Sequence, residues 1–145
     1  MPIAYDKSVL ILKDIVNGKY LALSSTKPNI HDSGSGYNIT EPDTTTTSYQ
    51  RAALGSSTNY TPSFETGDET KLINDNPITF PECVGTAWGN LAYFAIFANA
   101  AAPATGTEAP LYVGQLDSAI QPTDGKIPVV RAGSLSLSLL PDNNA

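Results

Sequence analysis

Cysteine, histidine and tryptophan each occur once in this chain of 145 residues, as Cys83, His31 and Trp88. A single cysteine excludes an internal disulfide framework and any multi-cysteine zinc site. A single histidine excludes a His-rich metal cluster, so no metal ligands and no cofactor are expected. Basic residues are scarce as well: eight Lys and Arg against fourteen Asp and Glu give a formal net charge of −6. Those eight are scattered, whereas nucleic-acid binding relies on a basic patch that neutralises phosphates. No nucleic-acid partner is expected. No apolar run approaches the roughly eighteen residues that span a bilayer. The opening MPIAYDKSVLILKDIVNGKY is a poor signal peptide, because Lys13 and Asp14 cut its apolar stretch and no small-residue cleavage site follows. The expectation is a soluble chain made in a cytoplasm, with no membrane partner.

What the chain has in plenty is Thr, Ser, Asn, Gly and Pro, with charged residues at only 15%. That is the composition of β-structure and ordered loops. One helix is predicted over about 6–17, with Asp6 or Ser8 as its cap and Gly18 at its stop. Its stripe is Val9, Leu12, Ile15 and Val16, widened by Ile11, at 3.6-residue spacing. A first strand follows in KYLALSS, with Leu21 and Leu23 on one side and Tyr20, Ala22 and Ser24 on the other. From Thr26 to Gly67 aliphatic residues are few. There SYQRAAL (48–54) reads as a possible strand with Tyr49 and Arg51 on one face, and the polar stretches 26–47 and 55–75 read as exposed loops. The length of those loops points to contacts with a receptor, a glycan or neighbouring subunits, and Arg51 can pair a carboxylate such as Glu41.

Short apolar runs then recur at about ten-residue spacing: NPITFP, NLAYFAIFA, PLYVGQL, KIPVVRA and SLSLSLL. The last alternates strictly, with Leu135, Leu137 and Leu139 facing one way. TDGK (123–126) reads as a hairpin-type turn and AGS (132–134) as a sharper bend. The predicted fold is mostly β: a single domain over 1–145, a β-sandwich or barrel of seven or eight strands over about 19–140, with one N-terminal α-helix.

Chemistry is sparse. A reactive Cys83 needs a base or a positive field, yet Glu82 beside it would raise its pKa and no Lys or Arg lies from 72 to 125. HDSGSG (31–36) lacks the lysine of a phosphate loop and contains no nucleophile elbow. ETGDET (65–70) does not have the spacing of a calcium loop. A small hydrolase would need His31, Asp32 and a serine brought together by the fold. A carbohydrate-binding module would need Tyr37, Tyr49 and Tyr60 exposed on one loop face. No catalytic, cofactor or metal residues are assigned. Trp88 reads as a core plug after a bend at Gly89, feeding a strand over 91–98 that is buried on both faces.

One further pattern runs through most of the chain. KYLALSSTKPN, ITEPDTTTTSYQRAAL, NPITFPECVGTAWGNLAYFAIFANA, PLYVGQLDSAI and VRAGSLSLSL follow in an order that resembles a family of small tailed-phage virion proteins, often labelled tail fibre or minor structural proteins. The most specific parts of the resemblance are the TEP…Y-R and FP…WG…IF blocks. Gln50 stands where that family often has alanine, and Asn99 where it often has aspartate. The resemblance implies a non-enzymatic bacteriophage structural protein, assembled in the host bacterial cytoplasm and carried in the virion. Its compactness, without repeats or heptads, points to a capsid decoration or cement-type protein on the outer surface of the particle. The alternative is a tail, collar or tail-fibre accessory protein. Its expected partners are other virion proteins, either the major capsid protein or tail and collar subunits, and copies of itself in a homo-oligomer such as a trimer.

Overall fold

A computed structural model describes residues 4–31, 34, 36–65, 69–101 and 108–139. The helix α1 spans Tyr5–Val16, one residue earlier at each end than the sequence suggests. Its cap is Ala4, with no side-chain hydrogen bond, and not Asp6 or Ser8. Asp6 lies in the first turn, where a negative charge suits the positive end of the helix dipole. Ser8 is instead buried in line with Leu12 and Val16, one helical turn apart, and Ile15 packs at the margin.

Nine strands follow among the described residues. They are β1 (Tyr20–Ser24), β2 (Ala52–Ala53), β3 (Tyr60–Glu65), β4 (Glu69–Asn74), β5 (Ile78–Thr79), β6 (Leu91–Phe97), β7 (Tyr112–Ile120), β8 (Val129–Val130) and β9 (Ser136–Leu139). Every described pairing is antiparallel. The sheets are β2-β1-β6-β7, β3-β4-β9 and β5-β8. They are open, so the architecture is layered and sandwich-like and not a closed barrel.

Strand alternation explains the division of the core. Leu21 faces Ile96 and Leu23 faces Phe94 across the β1–β6 ladder. On this inner face they join Leu72, Leu135, Leu137 and the helix residues Leu12 and Val16 in one cluster. The opposite face carries Ala22, Ala95 and Phe97, a small second core against which Ile39 and Val113 pack. Both faces of β1 and β6 are thus covered, which is why their sequences are apolar throughout. Leu135 and Leu137 are fully buried as their alternation requires.

Three expectations need correcting. First, the stretch 55–75 is not an exposed loop. It holds the β3–β4 hairpin, and Tyr60, Thr70, Leu72 and Asn74 are buried. Pro62 conceals the strand in the sequence, but β3 is an edge, where a missing N–H is tolerated. Asn74 closes the far end by donating its amide to the carbonyls of Asn76 (2.8 Å) and Arg131 (3.0 Å) and accepting from the Leu135 N–H (2.9 Å). Second, of SYQRAAL only Ala52–Ala53 lies in a strand, because Tyr49 and Arg51 are drawn inward to a shared carboxylate. Third, TDGK is a turn but not a hairpin, because β7 and β8 on either side of it belong to different sheets. Gly125 supplies the positive φ (+85°), and the Lys126 N–H closes the turn on the Thr123 carbonyl at 3.0 Å. The bend at 132–134 is as expected, with Gly133 at φ +82°.

Gly114 is required for a different reason. It sits opposite Phe94 on the inner face, and a Cβ there would lie 2.6 Å from the Phe94 ring. The ring is buried and stacks against Tyr112 at 6.0 Å, so it has little room to yield. Gly114→Ala is expected to cost roughly 1–3 kcal/mol through overpacking. Denaturant unfolding of the single and double variants should show a smaller cost in a Phe94→Leu background, where the ring is gone.

Candidate functional site

A densely bonded group of polar side chains lies where segments around residues 41, 49–51, 97–99 and 108 converge. Glu41 comes from the extended TEP segment, Tyr49 and Arg51 from the approach to β2, and Phe97 and Asn99 from the end of β6. Arg51 donates Nε to Glu41 Oε1 (3.0 Å) and Nη2 to Glu41 Oε2 (2.9 Å), a planar two-point match. Its Nη1 donates to the Asn99 carbonyl at 2.9 Å, and Nη2 also reaches Glu108 Oε1 at 3.1 Å. The guanidinium lies 4.0 Å from the centroid of the Phe97 ring. Tyr49 completes the group: its hydroxyl donates to Glu41 Oε1 at 2.6 Å and accepts from the Leu23 N–H at 3.1 Å. The expected Glu41–Arg51 pair is therefore present. The roles of Glu108 and Asn99 could not be read from the sequence, since nothing in spacing or type ties position 108 to position 51.

The side chains of Arg51 and Glu41 are fully buried. Burial works against the Arg51 charge, but hydrogen bonds and attraction from Glu41 and Glu108 outweigh it and hold its pKa above the usual value. Tyr49 is pushed well above the usual tyrosine range, first by burial and then by the neighbouring charge of Glu41. The buried polar atoms here have partners and two carboxylates converge on the one guanidinium, so the group holds loops in place. It offers no free acid, base or nucleophile to a substrate.

The remaining candidates are dispersed. Cys83 is buried, and its thiol donates to the Thr86 carbonyl at 3.4 Å. Burial raises its pKa, followed by Asp124 and then Glu82, the reverse of what a nucleophile needs. The TDGK turn pins it, with Cys83 N–H to the Lys126 carbonyl and Gly125 N–H to the Cys83 carbonyl, both 2.7 Å. Trp88 is a core plug as expected, edge-on to Tyr49 at 5.2 Å and to Phe80 at 6.4 Å. Its indole N–H finds no partner among the described residues. His31 is exposed, while Asp32, Ser33 and Ser35 of HDSGSG lie outside the described residues, as do Thr66, Gly67 and Asp68 of ETGDET. Among the described residues no group of His, Cys, Asp and Glu is placed to hold a metal ion. The tyrosine platform of a carbohydrate module is not formed, since Tyr49 and Tyr60 are buried and only Tyr37 is partly open.

The two sides of the polar arm, 25–29 and 37–40, are tied together by backbone bonds and their own small side chains. Ser25 N–H meets the Thr40 carbonyl at 3.0 Å, and Asn29 N–H meets the Tyr37 carbonyl at 2.8 Å. Ser24 Oγ links the two sides, accepting from the N–H groups of Thr26 (3.2 Å) and Thr40 (3.0 Å). Ile39 on this arm covers the outer core of the large sheet.

The TEP…Y-R and FP…WG…IF blocks therefore meet in space, with Tyr49 touching both Glu41 and Trp88. Residues 16–138 match the model of a protein family described as Podophage GP4 fiber I protein gp80. The matched span contains every member of the Arg51 group. No curated protein matches the chain.

Glu41→Gln removes the charge facing a buried guanidinium, a change that commonly costs about 3–5 kcal/mol. Glu108 still faces Arg51, so the lower end of that range is expected in denaturant unfolding. Alkaline pH gives a second test. Tyr60, whose hydroxyl donates to the Leu54 carbonyl at 2.9 Å, is pushed up to about 12 by burial. An unfolded tyrosine ionises near ~10. The folded state thus resists ionisation of Tyr49 and Tyr60, and the stability linked to this is complete below pH ~10 and declines from there towards 12 and beyond. Stability measured across that window should fall less steeply for Tyr60→Phe.

Proposed function

The chain belongs to the Podophage GP4 fiber I protein gp80 family, and from that premise we propose that it is a non-enzymatic part of the phage tail-fibre apparatus, joined to other virion proteins. The family match over residues 16–138 is the observation that carries this reading. It supports the tail and fibre alternative over the capsid decoration expectation. That expectation rested on a compact domain without repeats, and a compact domain serves equally well as one module of a fibre.

The site geometry agrees with a structural role. The single thiol is buried with its pKa raised, and the buried Arg51 is held by the carboxylates of Glu41 and Glu108. No helix among the described residues is long and apolar enough to cross a membrane. The buried Arg51 group fixes the loops 41–51 and 97–99 relative to the sheet. Fixed loops are what a subunit needs when its surface must fit neighbours without reordering on contact.

Gold-labelled antibody against this chain, applied to intact virions, should decorate the fibres at the tail. Label spread over the capsid shell and absent from the tail would overturn the fibre assignment.

A further inference from the structure

Asn17 and Gly18 form the one Asn-Gly pair in the sequence, and they stand at the corner where α1 gives way to β1. The pair carries a latent reaction. The Gly18 backbone nitrogen can attack the Asn17 side-chain carbonyl carbon, and glycine has no side chain to hinder the ring that closes. In that step the N–Cγ bond forms, the Cγ–Nδ2 bond breaks, and ammonia leaves with the proton given up by the Gly18 nitrogen. Water then opens the cyclic imide at either of its two carbonyls. One opening gives aspartate. The other gives isoaspartate, whose main chain runs through the side-chain methylene.

The fold opposes ring closure at both reacting groups. Asn17 is exposed to solvent, but its ψ of 113° turns the Gly18 nitrogen away from the Asn17 side chain. The Gly18 N–H is fixed in that direction by donating to the Gly55 carbonyl at 2.9 Å. The electrophile is fixed as well, since Asn17 Oδ1 accepts from the Ser57 N–H at 3.1 Å. Flanking bonds close the corner, from Asn17 N–H to the Lys13 carbonyl at 3.0 Å and from Lys19 N–H to the Val16 carbonyl at 3.2 Å. Reaction therefore waits on a local opening that frees the pair from the 55–57 segment.

We propose that Asn17–Gly18 is a covalent modification site which the α1–β1 corner holds shut, so that opening of the corner exposes it to irreversible deamidation. The products bear on the fold. Either one adds a negative charge at the C-terminal end of α1, where the helix dipole disfavours it. Isoaspartate also inserts a methylene into the main chain between α1 and β1, which shifts Gly18 out of register with Gly55. The helix that places Leu12 and Val16 in the core is then loosened at its anchored end. The inference is independent of the fibre reading, because it follows from this corner alone.

Peptide mass spectrometry of the full chain, incubated at mildly alkaline pH, reads the conversion of Asn17 over time. The folded chain should convert at least about tenfold more slowly than the chain unfolded in guanidinium chloride, a factor equal to about 1.4 kcal/mol of opening cost. Ser57→Pro removes the N–H that holds Asn17 Oδ1. Proline suits that place, the first residue of the short turn Ser57–Asn59 after an extended Ser56. The variant should stay folded by circular dichroism and convert at least about twofold faster than the folded wild type, the low end of what one hydrogen bond contributes. Unfolded, the two chains should convert alike. Amide hydrogen exchange gives a reading that needs no variant: the Gly18 N–H of the folded wild type should be protected at least about tenfold. Folded and unfolded wild-type chains that convert at one rate overturn the proposal. So does an unprotected Gly18 amide, or a folded Ser57→Pro chain that converts no faster than the wild type.

Discussion

A positive charge held out of water must be matched on every side, and Arg51 imposes that requirement on this fold. Its five N–H donors lie in a fixed plane. To satisfy them the chain brings Glu41 to one side, the Asn99 carbonyl to another and Glu108 to a third, with the Phe97 ring against the flat face. Segments around residues 41, 51, 97–99 and 108 are thereby held together without a disulfide. Tyr49 extends the arrangement into the hydrophobic interior, where it meets the β1 backbone through Leu23 and the indole of Trp88. The chain's polar loops are ordered around this point, with few apolar residues of their own.

This explains why the TEP and Y-R segments of this chain belong together. TEP and Y-R would look like unrelated loop letters if the polar segment were solvent-facing. In the structure they are the two halves of one ion pair, and IF-A-N supplies its aromatic face and its carbonyl. Gln50, between Tyr49 and Arg51, is exposed, so alanine at that position is equally compatible with the geometry. Asn99 offers its backbone carbonyl to Arg51, a service that an aspartate would perform as well.

Much of the fold was legible in the sequence wherever a simple period governed it. The helix, β1, β6 and β9 each bury a face through regular spacing, and the pairs Leu21/Leu23 and Leu135/Leu137 are oriented as their alternation indicates. The β3–β4 hairpin was not legible. Its strands are built from Thr, Pro, Ser, Lys and Glu around a few apolar residues, and only the pairing reveals that Leu72 lies opposite Leu137. The same cause hid the burial of Tyr60 and Asn74, because a polar residue is buried only when partners distant in sequence satisfy it. The Glu41–Arg51 pair was accessible from charge type alone. Glu108 was not, since its contribution depends on where a later loop returns.

The order of the strands along the chain also has a kinetic side. Residues 20–24 find their main partner at 93–97, and 70–73, besides pairing with β3, pair on their other side with 136–139. Among the described pairs only β3–β4 joins strands that lie three residues apart in the sequence. A topology so dominated by distant contacts folds slowly, since chain entropy is lost before the contacts that reward it exist. During synthesis β1 must wait for β6, and β6, apolar on both faces, emerges before β7 and β9 are available to cover it. Folding intermediates with such a strand bared are prone to aggregate at high concentration. The rate at which this protein is made in its host therefore bears on how much of it survives to be assembled.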